Sequence, residues 1–254
     1  MKYLEQLHRL KIFHKKDIAA FIKTPNSAKE ILRRYSKQGL ISPVRRDLYV
    51  VTDLATKTSL ANKFEIAGQI TPSSCLSYHS ALEYHGLAHQ VFFELYVSSI
   101  ETFKNFDYDG ISYVFCPLKI ESGIVRPVTD SFVRVTDLER TVIDCINCID
   151  LSGGLEELIQ SLAIITYIDE RKLLKYLQCF DKQFLYQKTG FVISYFQKEM
   201  KLSDSFIELC KSKIGKSTRY LTDPHESDTY FKEWKLIAPQ NILSFLEQGG
   251  AEHV

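Results

Sequence analysis

Thr24–Val51, TPNSAKEILRRYSKQGLISPVRRDLYVV, is the stretch whose reading decides the fold. Ala28, Ile31, Leu32 and Tyr35 fall at i, i+3, i+4 and i+7, the spacing that gathers apolar side chains on one face of a helix. Asn26, Lys29, Arg33, Arg34 and Lys37 are left on the opposite face. Two starts are available: Ser27 with Glu30 as a capping box, or Thr24 ahead of Pro25 at the first helical position. Gly39 stops the helix, because glycine takes the left-handed backbone of a C-terminal cap without steric cost. Beyond it, Leu40–Arg45 and Leu48–Val51 read as two short strands joined at Arg46-Asp47.

Upstream, Leu4, Leu7, Leu10 and Lys11 begin a first amphipathic helix, with Tyr3, Ile12 and Phe13 adding apolar surface. A second helix is expected over roughly His14–Ile22, turning Ile18, Ala19, Phe21 and Ile22 inward. Lys23 to Asn26 reads as a turn, since proline disfavours a helical residue before it. Two helices, a turn, a basic helix and a basic hairpin spell a winged helix-turn-helix. A helix with several cations on one face suits the DNA major groove, where Arg reaches guanine O6 and N7 and Lys reaches phosphate. A basic hairpin beside it can grip the neighbouring backbone. A solvated basic helix in an unrelated helical domain would carry the same face, but order, spacing, glycine stop and basic wing coincide here.

Charge supports this division. The 254 residues carry 32 Lys/Arg and 31 Asp/Glu, a net charge of +1. Residues 1–50 hold twelve Lys/Arg against four acids, while the rest holds 20 against 27. Such a split suggests a polyanion-binding head on an acidic body. Mean hydropathy is near zero, and no apolar run approaches the ~20 residues of a membrane span. MKYLEQLHRLKIF is interrupted by charges and lacks a small-residue cleavage site, so no secretory signal is expected. Six scattered cysteines in a chain with its own core imply reduced thiols and a cytoplasmic home.

The expected boundary falls in the polar connector Thr52–Ser59, giving a DNA-binding domain at 1–52 and a larger domain at 53–254. In the latter, Leu60–Ile70 and Ser77–His85 read as helices, and Val91–Val97, Ile111–Cys116 and Phe132–Val135 as strands, with Asp109-Gly110 a turn. After Gly153-Gly154 the pattern is helical: Leu155, Leu158, Ile159 and Leu162, then Leu173, Leu174 and Leu177, then Val192, Tyr195 and Phe196, then Phe206, Leu209 and Cys210. Trp234–Ala238 closes as a strand. The class is α+β, a winged helix followed by a mixed domain with a small sheet and a helix-rich second half.

Three motifs together carry a family resemblance: GLISPVRRDLYVV (Gly39–Val51), SYHSALEYHGL (Ser77–Leu87) and VTDLERTVIDC (Val135–Cys145). In their order and spacing the chain resembles the AbiEi-type antitoxins, the transcriptional regulators of bacterial abortive-infection (type IV) toxin–antitoxin pairs used in antiviral defence. The segment Tyr220–Ile237 matches more loosely. The resemblance implies an autorepressor that binds double-stranded DNA, repeats in its own promoter, and opposes a nucleotidyltransferase-like toxin without a stable complex. It carries over Lys29, Arg33, Arg34 and Lys37 on the helix and Arg45, Arg46 and Tyr49 on the wing. It carries over no catalytic residue, metal or cofactor. Family wings read Arg-Arg-Gly before an aromatic, whereas Asp47-Leu48 stands here before Tyr49. Asp takes a left-handed turn less readily than Gly and sets a negative charge beside the phosphate path.

Other constellations have plainer readings. Asp107-Tyr108-Asp109 echoes the metal-binding acids of nucleotidyltransferases, but no Gly-Ser phosphate cradle precedes it. Glu233-Trp234-Lys235 echoes a nuclease element without a well-spaced upstream acid. Cys75, His79, His85 and His89 lack the paired spacing of structural zinc. Cys145 and Cys148 read as small core residues. Asp137, Glu139, Arg140 and Asp144 form a candidate functional site of the second domain, although a Thr136/Glu139 capping box and an Arg140–Asp144 i, i+4 pair account for the same residues. Two other functions stay open: a winged-helix regulator sensing a small molecule, and a nuclease or nucleotide-modifying enzyme.

Overall fold

The helix expected over His14–Ile22 does not form, and what replaces it organises the basic head. The computed structural model, which describes residues 3–22, 24–225 and 227–248, has α1 at Leu4–Leu10 followed at once by a strand, β1, at Ile12–His14. Only a 3-10 turn, Asp17–Ala20, stands in the remainder of that segment. Ile12 and Phe13 are β-favouring residues, and both are buried. The Asp17 carboxylate accepts from the His14 backbone N–H at 2.7 Å, turning the chain where a helix would have continued. Lys23 lies outside the described residues.

The basic helix, α2, spans Pro25–Lys37. Of the two predicted starts Thr24 is the one used: its side chain accepts from the Ser27 N–H, and Pro25 supplies a preset φ. At the far end Gly39 sits at φ +67, and the Leu40 N–H returns to the Tyr35 carbonyl at 3.0 Å, satisfying a carbonyl the helix leaves open. Strands β2 (Ile41–Arg45) and β3 (Leu48–Val51) follow as an antiparallel hairpin with an irregularity between Pro43 and Arg45. The strand order is β1-β3-β2, so Pro43 lies on an edge strand, where a missing donor costs least. Ala28, Leu32 and Tyr35 are buried with Leu7, Phe13, Ile18, Ile22, Leu40, Ile41 and Val51, and Ile31 packs against them half-buried. This is a winged helix-turn-helix.

The chain divides into two compact units, neither continuous in sequence. The first comprises Met1–Leu76, Phe93–Pro117 and Arg126–Arg134, so the polar run after Thr52 joins two parts of one unit. It leads to α3 (Lys63–Gly68), where Asn62 and Glu65 form a reciprocal capping box. Four strands complete the unit: β4 (Cys75–Leu76), β5 (Glu94–Ser99), β6 (Phe106–Tyr108) and β7 (Ile111–Pro117), ordered β6-β7-β5-β4. β5 and β7 run parallel and the other pairings are antiparallel. Asp109 at φ +52 and Gly110 at φ +76 make the two-residue turn between β6 and β7, as the strand twist of such a hairpin requires.

The second unit comprises Ser77–Phe92, Leu118–Val125 and Val135–Val254. It holds α4 (Tyr78–Tyr84), the antiparallel pair β8 (Ile124–Val125) and β9 (Val135–Thr136), and the helices α5 (Leu138–Asn147), α6 (Gly154–Ala163), α7 (Glu170–Phe180), α8 (Gln183–Ser194) and α9 (Asp204–Ser212). The predicted strand over 132–135 shrinks to β9. Before it the Asp130 side chain and carbonyl accept the Phe132 and Val133 N–H groups, a local turn that competes with a ladder. α5 is the hub: Val142, Ile143 and Ile146 are fully buried among Leu158, Ile159, Leu162, Leu173, Leu177 and Val192. A small sheet closes the unit, with β10 (Arg219–Tyr220), β11 (Asp228–Phe231) and β12 (Leu236–Pro239) ordered β10-β12-β11. Trp234 belongs to a 3-10 turn ahead of β12, because Lys235 takes φ +46 between them. The class is α+β. Among the described residues no helix is long and apolar enough to cross a membrane.

Gly190 shows how tightly α8 meets the sheet. A Cβ there would press into the Trp234 ring and lie 2.7 Å from the Cys210 Cβ. Gly190→Ala is expected to lower stability by about 1–3 kcal/mol through overpacking, despite the helix propensity of alanine. A urea midpoint at or above that of the parent would show that Trp234 moves aside freely.

Candidate nucleic-acid interface

α2 presents its cations because its apolar stripe is spoken for. With Ala28, Leu32 and Tyr35 turned inward, Asn26, Lys29, Arg33, Arg34 and Lys37 are all exposed. Asn26, Lys29, Arg33 and Lys37 stand three and four residues apart, so they form one row along the helix. Arg34 is set beside the row, its guanidinium 5.5 Å from the Tyr35 ring centre. Glu30 is the acid on this side of the helix, and it too is exposed.

The wing residues separate. Arg46 projects fully, with 94% of its side chain exposed, and meets Asp47 only at 3.7 Å. Asp47 takes φ +64, so the left-handed turn expected of a glycine is made by an aspartate, one of the few residue types that tolerates it. Arg45 turns the other way. Its guanidinium lies 5.5 Å from the Phe103 ring centre and 5.2 Å from Phe106, and burial lowers its pKa. One of its terminal nitrogens, Nη1, is buried without a hydrogen-bond partner. Tyr49 is half-buried and stacks on Phe13 at 5.8 Å. Of the three predicted wing contacts, Arg46 is therefore the one held out to solvent. Lys15 and Lys16 join it: both are exposed, and the Lys15 N–H donates to the Asp47 carbonyl at 2.9 Å. Their place at the wing tip follows from β1, which the helical reading of that segment concealed.

The four candidate residues of the second domain come together, but inward. The Thr136/Glu139 capping box does not form. Asp137 caps α5 instead, accepting from the Arg140 N–H at 2.9 Å, while Thr136, held in β9, shares a hydrogen bond with Thr141. Asp137 also accepts from the Tyr176 hydroxyl at 2.7 Å. Glu139 accepts from the Asp169 N–H at 3.0 Å and from Lys172 Nζ at 3.1 Å. Arg140 donates through Nε to Asp144 at 2.8 Å and through Nη1 to the carbonyls of Ile120 and Ser122. The expected i, i+4 pair forms and is buried on both sides. Burial pushes the Asp144 carboxyl up to about 6 against the pull of Arg140. Desolvation and the Asp137 carboxylate raise the Tyr176 phenol, and the bond from Lys172 to Glu139 raises the Lys172 amine. The group ties α5 to α7 and to the segment before β8.

A second buried pair joins α4 to α6. His79 Nε2 lies 3.2 Å from Glu157, both side chains being wholly buried, and the His79 ring rests 4.1 Å from Phe92. Burial pushes Glu157 up, but bonds from His79 and from the Gln90 and His89 N–H groups outweigh it, leaving the carboxyl lowered. His85 bonds the Thr136 carbonyl at 2.7 Å. Asp107 accepts from Ser112 on β7, Asp109 makes its turn, and Glu233 meets Lys211 at 3.4 Å. Cys145 is wholly buried, with its thiol raised by desolvation. Among the described residues no three His, Cys, Asp or Glu side chains converge as ligands for a metal ion.

No protein-family model matches the chain, and no curated protein does. Among solved structures it is similar to the crystal structure of the RV2827C protein from Mycobacterium tuberculosis, with 12% identity and a TM-score of 0.64 over 97% of this chain and 93% of that one. At that identity the likeness concerns the fold.

Removing one partner of a buried ion pair strands the other. Asp144→Ala is therefore expected to cost about 3–5 kcal/mol, and Arg140→Met with Asp144→Leu appreciably less. Urea denaturation compares the two; equal losses would mean that the pair, rather than the orphaned charge, carries the stability.

Proposed function

We propose that the chain is a DNA-binding transcriptional autorepressor and the antitoxin of a toxin–antitoxin pair, acting in the cytoplasm against a nucleotidyltransferase-like toxin. The observation that carries the DNA-binding half is the row Lys29, Arg33 and Lys37, with Arg34 beside it, exposed on the face of α2 opposite its buried stripe. Arg46, Lys15 and Lys16 at the wing tip extend the cationic surface along the path a DNA backbone takes beside a recognition helix. The antitoxin half rests on the resemblance of Gly39–Val51, Ser77–Leu87 and Val135–Cys145 to the AbiEi-type regulators. In this reading the chain is not an enzyme. Asp137, Glu139, Arg140 and Asp144 serve by holding α5 in place rather than by touching the toxin.

A second reading has one observation in its favour. The second unit contains an open cleft of about 720 Å³, lined by Ile149, Leu155 and Phe245 together with Asp150, Thr222 and His225. A cleft of this size suits a small molecule. A metabolite that raises the melting temperature of the parent protein, and fails to do so for Phe245→Ala, would make the chain a ligand-sensing regulator.

For the first reading, Arg33→Ala and Arg34→Ala are each expected to weaken binding to the chain's own promoter by about 1–3 kcal/mol where they meet bases. Lys37→Ala should flatten the salt dependence by about one ion. Arg45→Ala, which loses packing on Phe103 and Phe106, should lower thermal stability while leaving that slope unchanged. Fluorescence anisotropy across a salt series reads the affinities and slopes, and thermal denaturation the stability of Arg45→Ala. Should the double variant Arg33→Ala/Arg34→Ala bind the promoter as the parent does, α2 is not the reader.

A further inference from the structure

The small sheet of the second unit carries an aromatic row that its fold does not use. Tyr220 on β10 pairs with Ile237 on β12, and Ile237 pairs with Tyr230 on β11. Residues in register on neighbouring strands share a face, so the three form one row across the sheet. The opposite face is the core side, where Leu236 and Ala238 are buried and Phe231 meets Phe191 at 4.8 Å. On the outer face Tyr220 is 46% exposed and Tyr230 50%. Along the β11 edge beside Tyr230 opens a hollow of about 350 Å³, lined also by Tyr195, Phe231, Lys232, Glu233 and Trp234.

Topology polarises the rim of this face. β10 runs parallel to β12 and β11 antiparallel to it, so the starts of β10 and β12 and the end of β11 meet at one end of the sheet. Lys216 and Lys232 are exposed at that end, Glu233 beside Lys232 is held against Lys211 at 3.4 Å, and Lys235 is tied there by its bond to the Gly215 carbonyl at 3.0 Å. Asp223 and Asp228 lie at the other end. Exposed rings beside a cationic rim match the two needs of an unpaired polynucleotide: π-faces for its bases and charge for its backbone. A duplex keeps its base faces stacked inside and offers these rings nothing to stack on.

We propose that the outer face of the β10-β12-β11 sheet binds single-stranded nucleic acid, with bases stacked on Tyr220 and Tyr230 and phosphates held by Lys216 and Lys232. This site is separate from the α2 surface and does not rest on it. The full-length protein is titrated by fluorescence anisotropy against labelled mixed-sequence 12-nucleotide RNA, the same sequence as single-stranded DNA, and its DNA duplex. Tyr220→Ala and Tyr230→Ala should each weaken single-strand binding about 5-fold or more, Tyr→Phe at either position should keep it within 2-fold, and Lys216→Glu with Lys232→Glu should abolish it at moderate salt. Duplex binding should be unchanged in all of these and lost in Arg33→Ala/Arg34→Ala, which should still bind the single strands. RNA and DNA bound alike place recognition in base and phosphate; RNA alone bound adds the ribose hydroxyl. The proposal is overturned if the parent binds neither single strand, if Phe costs as much as Ala, or if the tyrosine variants lose duplex and single strand together. Because both tyrosines are exposed, melting temperatures near that of the parent confirm that the variants are folded.

Discussion

The basic head depends on one short pairing, Ile12–His14 against Leu48–Val50. It is extended at both ends, by the Val51 N–H to the Lys11 carbonyl and the Lys15 N–H to the Asp47 carbonyl. These bonds join the residues before the helix-turn-helix to the hairpin after it, so α2 is bracketed between two fixed points. Register matters more than the number of bonds. Leu48 and Val50 are wholly buried while Tyr49 between them is half-exposed, and a slip of one residue would exchange those faces. With register set, the buried stripe of α2 is set too, and the cation row has nowhere to go but outward.

Adjacent arginines illustrate how much of a site's chemistry lies beyond local pattern. Arg45 and Arg46 look equivalent in SPVRRDLY, yet one is desolvated between phenyl rings and the other projects into water. The bulge after Pro43 shifts the strand by one position, and the rings that capture Arg45 come from residues 103 and 106. Nothing within ten residues of Arg45 announces them. The face of α2 was legible because a thirteen-residue helix repeats its period several times and its caps are local: Thr24-Pro25 at one end and Gly39 at the other. β1 was not, because three residues are too few to show an alternation, and Leu7, Leu10, Ile12 and Phe13 continue into it as one apolar run.

α5 failed for a different reason. Charged side chains are almost never fully buried unless paired, and DLERTVIDC reads as a capped helix with an i, i+4 ion pair whose burial the spacing does not decide. The exception requires partners, and here they come from residues 120–122 and 169–176, far away in sequence. Buried acceptors and donors must all be matched in such a place; Asp137, Glu139 and Arg140 each find more than one partner, and Asp144 is held by Arg140. A hub helix fixed by polar bonds has fewer alternative seats than one fixed by methyl groups alone, since each bond admits a narrow geometry.

The same burial alters what the charge count means. Residues 51–254 are formally acidic, but among the described residues Glu65, Glu139, Asp144 and Glu157 lie in the interior with Arg140 as the one buried Lys or Arg. Those four carboxylates act on their partners inside the fold and contribute little to the field outside it, so the surface is less acidic than the sum. Where the remaining charges sit then counts for more than how many there are. The parallel β10 and β12 and the antiparallel β11 gather Lys216, Lys232 and Lys235 at one sheet end, where Glu233 is paired with Lys211, and leave Asp223 and Asp228 at the other. A polyanion meets that end locally, within a screening length of about 8–10 Å, and is nearly blind to acids beyond it. An acidic total is therefore no argument against a nucleic-acid surface in this unit.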